Sequence, residues 1–420
     1  MKLIIKDTLI LSMVNEEIKK ANIYIDNKKI VHIGKDYRMN ADRIIDGSNF
    51  LTMPGFINSH THVGMSLFRN YGNDNNLMTW LNDYIFPAEE KLNPDLVYYA
   101  SLISFAEMIK TGTTTFADMY FFEEATIKAL ELAKLRGQIS RGLSSPDEDN
   151  YRLKENIELY TKYNGKDGKL EIGMGPHAVY TTDESYLNEI SDIAKRYDMP
   201  IHIHLSETEF ENEKCQENYG KSPTELFNDC SIFESRAIAA HGVHLSDNDL
   251  KILSKKNVSL IHNPSSNLKL SSGIMDVTRV MDSGVNVCLG TDSAASNNKQ
   301  SMLKEIEIAA LISKLKSADN LKAYDVLKMA TINGAKALGL DHKVGTIEVG
   351  KEADIILVDI NNINHIPHND LISSLCYSTY DSDIKYVLVA GEVLLDNGKL
   401  VYIDESELID KARSLTRDLL

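Results

Sequence analysis

The residues with chemistry to offer recur at equivalent places along the chain. An apolar run ending in "GFINSHTH" puts two imidazoles, His60 and His62, one residue apart. Side chains of an extended strand alternate between faces, so these two point the same way and can share one ion. Other apolar runs end alike: His177 follows "LEIGMGP", His202, His204 and Glu207 lie in "PIHIHLSE", His241 ends "AIAAH", and Asp292 ends "VNVCLGTD". Imidazole and carboxylate are ordinary zinc ligands, and a set that leaves one position open to water marks a catalytic site. A single histidine at a strand end is more often a structural or surface residue. Recurrence at four or more strand ends points instead to one cluster. Spacing alone does not choose between His202 and His204, which face the same way.

Such a cluster needs elements that bring distant strand ends together. The middle of the chain alternates apolar strand runs with amphipathic helical stretches. Eight candidate strands are "LTMPGFINSHTH", "TTTFADMY", "GQISRGLSS", "LEIGMGPHAVY", "PIHIHLSE", "AIAAHGVHL", "VSLIHNPSS" and "VNVCLGTDS". Eight βα units over roughly 290 residues predict a TIM (β/α)8 barrel, whose chemistry sits at the C-terminal ends of its strands. A doubly wound open sheet is the alternative. Helix ends are legible too. Asn93 with Pro94 predicts a helix start that runs to Gly112, and Thr181 with Glu184 reads as a capping box. Residues 1–53 and 348–403 are β-rich and turn-rich, with hairpin signals at Asn397–Gly398 and Asp26–Asn27. They predict one small β-sandwich composed from both termini, flanking a catalytic barrel over 54–347, with a C-terminal helix over 404–420.

Composition narrows the classes. The chain is 43% hydrophobic and 25% charged, with no apolar run long enough for a membrane span and no signal-peptide core. Four scattered cysteines without a Cys-x-x-Cys pair suit reduced thiols, and the protein is read as cytoplasmic. Its 45 basic and 61 acidic residues give a net charge of −16, which disfavours nucleic acid and suits an uncharged or zwitterionic small molecule.

The motifs "PGFINSHTH", "HIHLSE", "AAHGVHL", "HNPSSN" and "LGTDSAASNN" together resemble the amidohydrolase superfamily. Within it, the chain is similar from about residue 1 to 405 to the deaminases of 5′-methylthioadenosine and S-adenosylhomocysteine, including archaeal 5′-deoxyadenosine deaminases. The resemblance implies that His60, His62, His204 and Asp292 bind one divalent metal, usually zinc, with iron and manganese as the other options. It gives His202 a packing or supporting role. Binuclear relatives carry a carboxylated lysine on the fourth strand; "GMGPHAVY" offers His177 and no lysine, which implies a single ion. The implied reaction is hydrolytic deamination at C6 of an adenine ring. Asp292 would take a proton from the attacking water, His241 would orient it, and Glu207 would protonate ring N1 and the departing ammonia.

Substrate contacts implied by the same resemblance are Glu89 for the ribose hydroxyls, Trp80 beside the nucleoside, and His177 near the ribose or ring. Arg141 and Arg152 correspond to positions near the 5′ substituent. Glu90 reads as surface charge, and Asn263 as support for the loop. Relatives also imply a homo-oligomer, a tetramer ahead of a dimer. Competing readings are deamination of guanine or cytosine, dechlorination of a triazine, a non-catalytic barrel kept for assembly, and a metal store or sensor. The last leaves Glu207 and His241 without a purpose.

Overall fold

The computed structural model describes residues 1–417 and 419. Each of the eight apolar runs supplies one strand of a parallel barrel: β1 (Phe56–Thr61), β2 (Thr113–Tyr120), β3 (Arg136–Leu143), β4 (Leu170–Pro176), β5 (Ile201–Leu205), β6 (Ala237–His241), β7 (Ser259–His262) and β8 (Val287–Leu289). Neighbours in sequence are neighbours in the sheet. Nearly every strand residue is buried, as expected where helices cover one face and packed side chains fill the other.

The barrel closes between β8 and β1. The Asp292 N–H donates to the His60 carbonyl at 2.9 Å. Asn58 straddles the seam, accepting from Thr291 N at 2.9 Å and donating to Thr291 Oγ1 at 2.7 Å. Gly290 is required there by space: a Cβ would lie 2.8 Å from the His60 nitrogen. This seam brings the first and last histidine and carboxylate motifs to one rim, 230 residues apart in sequence.

The helix expected from Asn93 runs over Pro94–Lys110, with Asn93 Oδ1 accepting from Leu96 N. The expected Thr181–Glu184 capping box does not form. The helix begins at Glu184 and is capped by Asp183, which accepts from Tyr186 N. Thr181 instead bonds the His177 ring and the Ala178 carbonyl, so the rim of β4 takes the hydroxyl that the spacing assigned to the helix.

Both termini build one mixed nine-stranded sheet. The strand Phe50–Pro54 pairs on one side with Lys2–Leu11 and on the other, antiparallel, with Ile355–Asp359. Ile5, Ile23 and Ile25 from the N-terminal part share a core with Ile355, Leu357 and Leu388 from the C-terminal part. The Asn397–Gly398 turn joins two of its strands with positive φ at both residues, and Asn27, also at positive φ, turns the other hairpin. A helix over Glu405–Thr416 follows the sheet. Among the described residues no helix is long and apolar enough to cross a membrane.

Sheet and barrel are clasped by a buried arginine. Arg136, at the start of β3, reaches Asp354 Oδ2 at 3.0 Å, Glu352 Oε2 at 2.7 Å and the Gly168 carbonyl at 3.1 Å. Asp354 also accepts from Ala390 N at 2.7 Å. Removing one partner of a buried pair strands the other charge. Arg136→Met is therefore expected to destabilise the protein by about 3–5 kcal/mol in chemical denaturation; a loss below about 1 kcal/mol, the size of a surface pair, would contradict the clasp.

Candidate active site

The C-terminal ends of the barrel strands deliver the histidines and carboxylates to one cavity of about 260 Å³. His62, His204, Glu207, His241 and Asp292 line its floor, and Trp80, Leu81, Ile85, Phe86 and Leu270 form apolar walls. Glu89 and His177 line it as well. Two of the floor residues hold unusual backbone: His241 at φ +76° and Asp292 at φ +60°. A non-glycine residue there costs on the order of 1–3 kcal/mol and persists where surrounding structure over-determines it.

The imidazoles are oriented from behind. His62 Nδ1–H donates to the Met119 carbonyl at 2.5 Å, and His204 Nδ1–H donates to the His177 carbonyl at 2.9 Å. A carbonyl can only accept, so each ring keeps its proton on Nδ1 and a bare lone pair on Nε2. Those two Nε2 atoms lie 3.3 Å apart. Asp292 Oδ1 sits 3.4 Å from His62 Nε2 and 3.6 Å from His60 Nε2, and His60 Nε2 is buried without any hydrogen-bond partner. Burial lowers all three imidazoles, His60 to about 3, keeping them neutral. Burial opposes ionisation of Asp292 too, but the His60 and His62 rings beside it outweigh burial and hold its carboxyl well below the usual range. The bare lone pairs of His62 Nε2 and His204 Nε2 face each other with no proton between them and repel. The donor set fits a divalent cation. His60, His62 and Asp292 form one close group of donors, and His60, His204 and His241 another, with His60 common to both.

His202 and His204 take different positions. His204 lines the cavity, whereas His202 is fully buried behind it, with Nε2 at 2.8 Å from His60 Nδ1. His202 thus orients His60 as Met119 and His177 orient the other two rings.

Glu207 and His241 form the second chemical pair, Oε2 to Nε2 at 3.6 Å. Burial raises the Glu207 carboxyl, partly offset by His241. Burial disfavours the His241 imidazolium, yet the charges of Glu207 and Asp292 outweigh it and raise that group above the ordinary imidazole value. His241 Nδ1–H donates to Asn267 Oδ1 at 2.8 Å, leaving Nε2 to face the cavity. Ser272 donates to Glu207 Oε1 at 2.9 Å and Ser266 to Asp292 Oδ2 at 2.6 Å. Asn263 is buried outside the cavity lining and accepts weakly from His241 N.

The walls divide the expected substrate contacts into two groups. Trp80 is buried, with Nε1–H donating to the Tyr71 carbonyl and its ring in the wall. Glu89 faces the cavity, accepts from Tyr120 at 2.8 Å, and is pushed up to about 7 by burial; Glu90 is exposed. His177 is lowered to about 4 by burial. Arg141 and Arg152, by contrast, are not brought into the cavity. Arg141 is buried against Glu155 Oε2 (2.7 Å), the Gly142 carbonyl and the Phe121 ring. Arg152 is spent on the Ser144 and Pro146 carbonyls and on Asp147. Arg141 is held by a helix acid and a strand carbonyl and Arg152 by groups of the segment before its helix, which sequence position did not reveal. Conversely, Tyr120, Ser266, Asn267 and Ser272 reach the site unannounced. Tyr120 ends β2, and that strand-end placement is the one signal that pointed to any of them.

The sequence profile of the Amidohydrolase family matches residues 51–394. A 5-methylthioadenosine/S-adenosylhomocysteine deaminase of Caldanaerobacter subterraneus subsp. tengcongensis is 45% identical, over 100% of this chain and 99% of that protein. A 5′-deoxyadenosine deaminase of Methanosphaera stadtmanae is 41% identical, over 99% of each. Among solved structures, a zinc-bound adenosine deaminase from Xanthomonas campestris superposes with a TM-score of 0.96 at 28% identity, covering 99% of this chain and 98% of that one.

Removal of the partner behind His60 tests the ligand geometry. His202→Leu is expected to weaken divalent-ion affinity roughly 10–100-fold in competition with a chromophoric chelator. Unchanged affinity would show that His202 only fills space.

Proposed function

We propose, from the premise that this chain belongs to the amidohydrolase family, that it hydrolytically deaminates 5′-modified adenosines to the inosine analogues and ammonia. One arrangement carries the reading. An acid with a raised pKa, Glu207, stands 3.6 Å from His241 beside a histidine–aspartate cluster, at the floor of an apolar cavity that also exposes Glu89.

His60, His62, His204 and Asp292 would hold one divalent ion, which supplies the Lewis acidity that makes water a nucleophile near neutral pH. Zinc is our assignment, supported by the donor types and by the zinc in the Xanthomonas structure. Asp292 accepts the proton of the attacking water. Its Oδ2 accepts from Ser266 and its Oδ1 from Ser293 N, which fix the carboxylate with Oδ1 towards His60 and His62. His241, steered by Asn267, offers Nε2 to the oxygen that adds to C6 and stabilises charge developing there. Burial raises the Glu207 carboxyl, which favours its acid form as the donor of a proton to ring N1, and that proton makes C6 electrophilic. The C6–N6 bond then breaks, and a proton relayed by Glu207 leaves with ammonia. Glu89 binds the ribose hydroxyls, while Trp80 and its apolar neighbours hold the base and sugar out of water.

The same lining ranks the substrates. It contains three carboxylates, Glu89, Glu207 and Asp292, and no lysine or arginine. A homocysteine carboxylate entering this cavity meets no lysine or arginine side chain, and Arg141 and Arg152 are already committed elsewhere. Uncharged 5′ groups fit best. In a kcat/KM comparison of 5′-deoxyadenosine, 5′-methylthioadenosine, adenosine and S-adenosylhomocysteine, the first two are expected to exceed S-adenosylhomocysteine by roughly tenfold or more, the scale of one unpaired charge. Inactivity on all four would overturn the function. Preference for S-adenosylhomocysteine would overturn the ranking alone.

A further inference from the structure

Resting on the reading of Glu89 as the ribose contact, we infer that Tyr120 is a positioning residue that sets the ribose specificity of the site. Glu89 sits at the end of a short helical segment, Phe86–Glu89, that follows a wide turn over Leu81–Ile85. Nothing in that segment steers its carboxylate. Among the described residues the Tyr120 hydroxyl is the one hydrogen-bond donor to it, reaching Oε1 at 2.8 Å.

Tyr120 itself is held on several sides. It is the last residue of β2, it is buried, and its ring lines the cavity beside His62, 6.3 Å between ring centroids. Its backbone N–H donates to the buried carboxyl of Glu123 at 2.7 Å. One edge of the ring rests on Gly64, where an added Cβ would lie 2.3 Å from Tyr120 Cδ1, so only glycine leaves room. The adjacent Phe121 ring stacks near it at 4.9 Å. A phenol fixed in this way occupies one lone pair of Oε1 and turns the rest of the carboxylate towards the cavity. Two vicinal hydroxyls can then be accepted by a group that no longer rotates freely. The barrel strand that orients the metal ligand His62, through Met119, thereby also aims the ribose acceptor through the very next residue.

The test pairs adenosine with 2′,3′-dideoxyadenosine, which keeps the base and 5′-hydroxyl and lacks the two hydroxyls in question. Wild-type enzyme is expected to show a higher KM for the dideoxy compound. Tyr120→Phe should raise KM for adenosine roughly tenfold, as for loss of a hydrogen bond to a charged group, with kcat retained and KM for the dideoxy compound unmoved. An equal rise for both substrates, a fall in kcat alone, or no change for either would overturn the role of Tyr120. If wild type fails to distinguish the two nucleosides, it is the ribose reading of Glu89 that fails.

Discussion

Two imidazole nitrogens with bare lone pairs stand 3.3 Å apart at the mouth of the barrel, with an ionised carboxylate close to both His60 and His62. Left to themselves these groups would separate or gather protons. They do neither, because each ring is tied from behind: His62 to the Met119 carbonyl, His204 to the His177 carbonyl, and His60 to the buried His202. The carboxylate is tied through its own backbone, since Asp292 N–H forms the hydrogen bond that closes β8 onto β1. The contact that closes the barrel therefore also fixes Asp292 beside His60. A repulsive arrangement held by the fold is what prepares the site for a cation.

Around that centre the structure stores strain and unpaired polarity where function needs them. His241 and Asp292 hold left-handed backbone, which turns each side chain off its strand and into the cavity. Glu207 is buried, accepts from Ser272 and lies 3.6 Å from His241, and burial raises its carboxyl. Stability is supplied elsewhere, by the fully buried strands and by the Arg136 clasp that binds the barrel to the flanking sheet.

What was legible in the sequence followed from apolar runs and their ends. Those runs, with their abrupt polar ends, located all eight barrel strands and the histidines on their rims, and Asn93 announced its helix. The same reasoning faltered where a side chain has several local partners to choose from. Thr181 had the spacing of a cap but bonds the His177 ring, leaving Asp183 to cap the helix. Arg141 and Arg152 stand near the expected subsite in sequence, yet Glu155, Asp147 and loop carbonyls claim them. The partners bonded to Asp292, His241, Glu207 and Glu89, namely Ser266, Asn267, Ser272 and Tyr120, are neutral residues. Only the packed structure shows which way their hydroxyls and amides turn.

The central claim is that water replaces the exocyclic amine at C6, and isotope transfer tests it most directly. The metal-loaded enzyme is incubated with 5′-deoxyadenosine in 18O-enriched water and the product is read by mass spectrometry. Deamination as described here gives 5′-deoxyinosine with one 18O on the hypoxanthine ring and an equivalent of free ammonia. Release of unlabelled adenine, which signals cleavage of the glycosidic bond, or recovery of unchanged nucleoside would contradict it.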